Sequence, residues 1–81
     1  MAAQENFRKN LRVAMQARGL SQREVAESLG TGYSYVNCVL QGKTSPSLQQ
    51  CEKLSKAVGF PLVALLSDAE EFADSVLTAV A

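Results

Sequence analysis

Tyr33, Ser34, Tyr35, Asn37, Cys38 and Gln41 fall within one short stretch. Together they supply phenols, a hydroxyl, amides and a thiol, groups that donate, accept and make apolar contact. They do not add up to a reaction centre. The chain has no histidine, no glycine-rich phosphate loop after a strand, and no acid pair set over a cleft. Glu70 and Glu71 are adjacent in sequence and so project differently from a helix. The chemistry on offer is recognition, and what holds these groups decides what they recognise.

The holding elements lie in SQREVAESLGTGYSYVNCVLQG, from Ser21 to Gly42. Ser21 with Glu24 three residues on makes a capping box and predicts a helix start. Val25, Ala26 and Leu29 recur at helical spacing, and Gly30 stands where a left-handed C-cap residue is wanted. Either Gly32 or Thr31 caps the next helix, which is expected to bury Val36, Val39 and Leu40 before Gly42 ends it. Two short helices joined by a tight turn are the plan of a DNA-reading helix-turn-helix. Such a pair buries little by itself and must pack on neighbours.

Those neighbours are legible. A first helix from about Gln4 to Arg18 carries Phe7, Leu11 and Met15 at i, i+4, i+8 with Ala14 beside them. Its other face holds Arg8, Lys9 and Arg12, and Gly19 ends it with Leu20 folding back. After the polar loop Lys43–Pro46, Ser47 with Gln50 predicts a second capping box. The fourth helix then puts Leu48, Cys51, Leu54 and Val58 on one face, and Gly59 stops it. Pro61 suits a first helical position for a short apolar fifth helix through Leu66. Ser67 with Glu70 predicts a third box, opening a helix with Phe72, Val76, Leu77 and Val80 along one face. No window alternates like a strand. The expectation is an all-α, compact five- to six-helix bundle: one domain over 1–81, with a core module at about 7–66 and a C-terminal helix at about 67–80.

With 81 residues the core is marginal without a partner or very regular helices. No apolar run reaches the roughly eighteen residues that span a bilayer. The polar start MAAQENFRKN does not read as a secretion signal, so a soluble cytoplasmic protein is expected. Cys38 and Cys51, without histidine, do not meet zinc spacings, and no metal or cofactor is expected. In that compartment both thiols stay reduced, with Cys51 as a small core residue and Cys38 on the exposed side of the third helix. Net charge is zero but segregated. Residues 1–56 hold all eight bases and four acids, while 57–81 hold four acids and no base, which describes a cationic module with an acidic tail.

The ordered set Gly19-Leu20-Ser21-Gln22, Glu24-Val25-Ala26, Leu29-Gly30, Val36, Gly42-Lys43, Pro46-Ser47-Leu48 and Leu54-Ser55-Lys56-Ala57-Val58-Gly59 resembles the lambda-repressor-like, Xre-type family of bacterial and phage transcription regulators. The resemblance covers roughly Leu11 to Leu66. It implies a sequence-specific regulator of double-stranded DNA, most simply a repressor, with helix 3 in the major groove. By position it makes Tyr33, Ser34, Asn37 and Cys38 the base-contacting residues. Gln22, Arg23, Tyr35, Gln41, Lys43, Thr44 and Ser45 become the backbone-contacting ones. Asn37 is the leading candidate, because its amide can pair bidentately with adenine. Ser34 positions more than it discriminates. The tyrosines either donate to phosphates, lay a ring on a thymine methyl, or pack back on helix 2. Cys38 meets a thymine methyl or fills space.

The chain departs from the family pattern where members place an arginine near the end of helix 1 and a glutamate near the end of helix 3. Here Met15 and Leu40 stand instead. Loss of one partner from a buried ion pair costs roughly 3–5 kcal/mol, whereas loss of both to apolar residues can be neutral. The double replacement is self-consistent.

No lysine or arginine lies between Glu24 and Gln41, so helix 3 cannot make the common Arg or Lys contact to guanine. Specificity is left to hydroxyl, amide and apolar contacts or to DNA shape. Affinity is left to Arg8, Arg12, Arg18, Arg23 and Lys43 on the rim. Modest affinity per subunit argues for a homodimer. Phe60, Leu62, Phe72, Val76, Leu77 and Val80 are its expected interface, unless helices 5 and 6 merely close the monomer's core. RNA polymerase or an antagonist protein are further candidate partners. The competing reading is a protein-interaction module on the same scaffold, such as an antitoxin or a polymerase-contacting adaptor.

Overall fold

The computed structural model describes residues 2–80, and the surroundings of side chains from Gln4 to Leu77. Six helices follow in order: α1 (Ala2–Arg18), α2 (Gln22–Leu29), α3 (Tyr33–Gln41), α4 (Leu48–Val58), α5 (Leu62–Leu65) and α6 (Ala69–Val80). Among the described residues there is no strand, and no helix is long and apolar enough to cross a membrane.

Helix α1 is the spine. Phe7, Leu11, Ala14 and Met15 are all buried along one stripe, and α3, α4, α5 and α6 pack around it. Its N-terminal end lies at Ala2, earlier than the spacing of its apolar residues required. Leu11, Leu40, Leu54 and Leu65 are among the largest fully buried side chains. Each such leucine stabilises the fold by roughly 1.5–3 kcal/mol relative to exposure. The buried set continues through Val25, Ala26, Val36, Val39, Val58, Phe72 and Val76 into one cluster. Phe60 adds an edge-on contact to Phe72, with ring centroids 5.3 Å apart.

The helix ends are set locally. At Ser21 the capping box is complete: Glu24 N donates to Ser21 Oγ at 3.1 Å, and Ser21 N donates to Glu24 Oε1 at 3.0 Å. That second bond, and then the Ser21 side chain acting on the carboxylate itself, hold the Glu24 carboxyl below the usual glutamate range. Gly42 closes α3 at φ +77, and a Cβ there would come within 3.3 Å of Arg8 Nε. Both the left-handed backbone and the crowding favour glycine at this point.

Several expectations are corrected. The Ser47 box has one arm only: Gln50 N donates to Ser47 Oγ, while Gln50 Oε1 is buried without a partner among the described residues. Ser67 caps nothing at α6; its hydroxyl donates back to the Ala64 carbonyl. Asp68 does the capping, with Oδ1 accepting from Glu70 N at 2.9 Å and Glu71 N at 3.4 Å, because a carboxylate at a helix N-terminus is also favoured by the dipole. Pro61 precedes α5 as its N-cap instead of opening it. Leu48 is 67% exposed, since it stands in the first turn of α4 with nothing built above it. Cys51 is half-buried against the core's edge, not enclosed by it.

Candidate nucleic-acid interface

Helices α2 and α3 pack closely on each other across the turn Gly30–Thr31–Gly32. Thr31 N donates to the Ala26 carbonyl at 3.0 Å, closing α2 with the two-bond pattern of a left-handed cap. The cap residue of α3 is Gly32, and no side chain caps it. Val36, Val39 and Leu40 turn inward and are at most 2% exposed. That burial fixes the opposite face outward.

On that outward face Tyr33 and Ser34 are exposed, and Asn37 and Cys38 are half-buried. Gln41 Nε2 donates to Asn37 Oδ1 at 3.2 Å, one turn apart. Arg23, Lys43, Thr44 and Ser45 are exposed, and Ser45 Oγ donates to Gln4 Oε1 at 3.4 Å. Tyr35 departs from this surface. It is half-buried against the core, where burial, and then the neighbouring Cys51 thiol, push its phenol up. Burial likewise raises the Cys51 thiol. Gln22 is half-buried, and its Oε1 has no hydrogen-bond partner among the described residues.

Met15 and Leu40 are 5% and 2% exposed and line one shallow, open surface depression with Arg12, Leu20 and Gln22. The bond that ties α1 to the end of α3 runs elsewhere: Arg12 Nη2 donates to the Leu40 carbonyl at 2.9 Å. Arg18 is similarly engaged, with Nε to the Val58 carbonyl at 3.2 Å, Nη2 to the Gly59 carbonyl at 3.1 Å, and its guanidinium 4.5 Å from the Phe60 ring centre. These arginines satisfy the orphan carbonyls of helix C-termini, where positive charge is favoured by the dipole. The expected cationic rim is therefore partly committed to the fold.

The same is true of the expected apolar interface. Phe72 and Val76 are 3% and 6% exposed and belong to the monomer's own core. Phe60 and Leu62 are half-buried against it. Leu77, by contrast, is 64% exposed, and Val63, at 81%, is another exposed apolar residue of the segment after Gly59. Val80 lies outside the described side chains.

Sequence reasoning also missed Asn10. It is fully buried, and Nδ2 donates to the carbonyls of Leu65 at 2.9 Å and Ser67 at 2.8 Å. The signal was present, since position 10 lies on the stripe of Phe7, Leu11 and Ala14. A polar residue there needs buried partners.

Comparison with known proteins finds the helix-turn-helix family HTH_3 matching residues 11–65. The chain is 37% identical over 71 residues to the cryptic phage CTXphi transcriptional repressor RstR of Vibrio cholerae, covering 88% of this chain and 64% of that protein. It is 36% identical over 63 residues to the HTH-type transcriptional regulator PuuR of Escherichia coli, covering 78% of this chain and 34% of that one. The PuuR of Shigella flexneri matches over the same share. The chain thus spans less than two thirds of the length of these curated relatives. No solved structure matches it.

Proposed function

This chain belongs to the lambda-repressor-like helix-turn-helix family HTH_3, a family of DNA-binding transcription regulators, and from that premise we propose that it is a sequence-specific repressor of bacterial or phage origin. It acts in the cytoplasm as a homodimer that lays α3 of each subunit in the major groove. The carrying observation is the division of α3, with Val36, Val39 and Leu40 buried and Tyr33, Ser34, Asn37 and Cys38 left at or near the outer surface. An α-helix fits that groove, and residues near its N-terminus meet base edges.

In this reading Gln22, Arg23, Lys43, Thr44 and Ser45 hold the sugar-phosphate backbone, fixing register without reading sequence. Tyr35 contributes at most its hydroxyl, because its ring is packed inward. The whole chain acts as one domain, with the module at about 7–66 carrying the DNA face. Helix α6 closes the core through Phe72 and Val76 and offers Leu77 to a second subunit. Val63 and Leu66 are further exposed apolar residues.

The test is binding-site selection from random duplex DNA, with affinity followed as salt is raised. A shared consensus and a steep loss of affinity with salt are expected, since phosphate contacts release counterions. Absence of any affinity at low salt would defeat the reading. It would favour the protein-interaction module, to which the zero net charge and base-free α3 also lend themselves.

A further inference from the structure

Helix α1 carries three arginines, and the fold engages two of them. Arg12 and Arg18 donate to carbonyls at the ends of α3 and α4. Arg8 makes no hydrogen bond or ion pair among the described residues. It is nevertheless half-buried, because its side chain crosses the end of α3. A Cβ built on Gly42 would stand 3.3 Å from Arg8 Nε and 3.4 Å from Cδ, so glycine leaves room for that crossing. The negative end of the α3 dipole favours a cation there without satisfying its donors. A guanidinium has five N–H groups and no acceptor, and here the fold claims none of them.

The surroundings of Arg8 name its ligand. It lines an open cleft between the N-terminal half of α1 and residues 42–46, together with Gln4, Thr44 and Ser45. Ser45 Oγ donates to Gln4 Oε1 at 3.4 Å, so the loop and α1 meet there. Glu5 lines the cleft too, but it forms no ion pair with Arg8 and leaves the guanidinium open. A guanidinium beside two hydroxyls, with the exposed Lys43 next in the chain, is a donor set suited to a phosphate. Resting on the reading of this chain as a DNA-binding regulator, we propose that Arg8 is a phosphate-binding residue of the interface, holding a backbone phosphodiester of the DNA against residues 43–45. The contact is charge-assisted and carries no base information. It extends the interface beyond the helix-turn-helix to α1, through the one arginine of that helix that the fold leaves wholly free.

The experiment follows the affinity of the wild type, Arg8→Ala and Arg8→Lys for duplex DNA as salt is raised, on a selected site and on random sequence. Arg8→Ala should lose roughly tenfold on both, the worth of one charge-assisted hydrogen bond. It should also flatten the salt slope by about one unit. Arg8→Lys keeps the charge but not the planar fork, so it should hold the slope and lose less affinity. Ethylation of single phosphates on the selected site then locates the contact. One phosphate in each half-site, whose ethylation weakens the wild type, should no longer matter to Arg8→Ala. The urea midpoint of Arg8→Ala should match the wild type, since no bond within the fold is lost.

If Arg8→Ala keeps the wild-type slope and the wild-type ethylation pattern, the assignment of Arg8 is overturned while DNA binding stands. A loss confined to the selected site would overturn it as well, since Arg8 would then read a base and not a phosphate. A lowered urea midpoint at an unchanged slope would give Arg8 to the fold. If the wild type binds no DNA even at low salt, the proposed function itself is at fault.

Discussion

Asn10, fully buried at the middle of α1, donates from Nδ2 to the carbonyl of Leu65 at 2.9 Å, across 55 positions of the chain. Leu65 ends α5, so its carbonyl has no intrahelical partner and would otherwise be an orphan in the core. The same NH2 group serves Ser67, and one side chain thus fixes the corner where α5 hands over to α6.

Asn10→Leu puts an apolar side chain of similar size in place of the amide and leaves both carbonyls without its hydrogen bonds. An unsatisfied buried acceptor costs about 1–3 kcal/mol. The Ser67 bond is only part-buried, and the change also removes Asn10 Oδ1, which is buried without a partner among the described residues. A net loss of about 1–3 kcal/mol is therefore expected in urea unfolding. Asn10→Ala should lose at least as much, with a cavity added. Two variants within ~0.5 kcal/mol of wild type would show that neither bond matters to folding.

Met15 and Leu40 predict a conditional effect. Met15→Arg alone buries an uncompensated charge and should cost about 3–5 kcal/mol. Adding Leu40→Glu should recover most of it, since the two positions line the same surface depression and the new charges can pair there. A double variant no more stable than Met15→Arg would mean that the two sites do not communicate.

Lys43 and Asn37 separate anchoring from reading. Lys43→Ala is expected to weaken binding to all sequences alike and to flatten the salt slope by about one unit. Asn37→Ala is expected to cost about 1–3 kcal/mol on the selected site while sparing non-specific binding. The quantity to compare is the ratio of specific to non-specific affinity at matched salt. Equal ratios for the two variants would refute the division of labour.

Leu77→Glu and Val63→Asp test self-association without disturbing the core, because both side chains are exposed. Sedimentation at micromolar concentration should find a wild-type dimer and a shift of either variant toward monomer. Val76→Glu is a poor probe, since it buries a charge and should unfold the chain instead. A wild-type chain that stays monomeric even on DNA would remove the dimer from the proposal.

The capping box at Ser21 carries a pH signature. The Glu24 carboxyl is held low by its bonds to Ser21. A carboxylate with a depressed folded-state pKa stabilises above its unfolded value, and that contribution is lost as pH falls through the folded one. The protection factor of amides at the start of α2, which corrects exchange for its intrinsic fall with acidity, should stay high at neutral pH and drop as pH falls through the lowered folded-state value of the Glu24 carboxyl. In Ser21→Ala it should already be low at neutral pH, and an unchanged protection factor there would count against the box.

What the sequence made legible was whatever is decided within a turn or two of chain. The Ser21 box, the glycine C-caps and the buried face of α3 are local matters of spacing and cap chemistry. Ser67 was misread because Asp68, its neighbour, is the stronger N-cap, a competition that spacing alone does not rank. Leu48 and Leu77 sit at helical spacing with core residues, but whether anything covers them depends on helices far along the chain. The engagement of Arg12 and Arg18 with carbonyls of α3 and α4 depends on how α1 crosses those helices, which no local pattern encodes. At the proposed DNA face, side-chain types were legible, whereas the inward turn of Tyr35 and the coupling of Gln41 to Asn37 were not.

Asn10 and Arg12 leave α1 two residues apart, on nearly opposite sides, at ~100° per residue. One grips the corner leading to α6, and the other grips the end of α3. In the proposed two-fold assembly on α6, α1, one unbroken helix over Ala2–Arg18, would be a stiff crank between the subunit junction and the reading helix. Torsional phase would then be the quantity that the proposed dimer senses in an operator. Inserting one base pair between half-sites turns the second by about 34° and moves it along the axis, and a rigid crank cannot follow. Half-site spacing would be discriminated as sharply as base identity, without any contact to the intervening pairs.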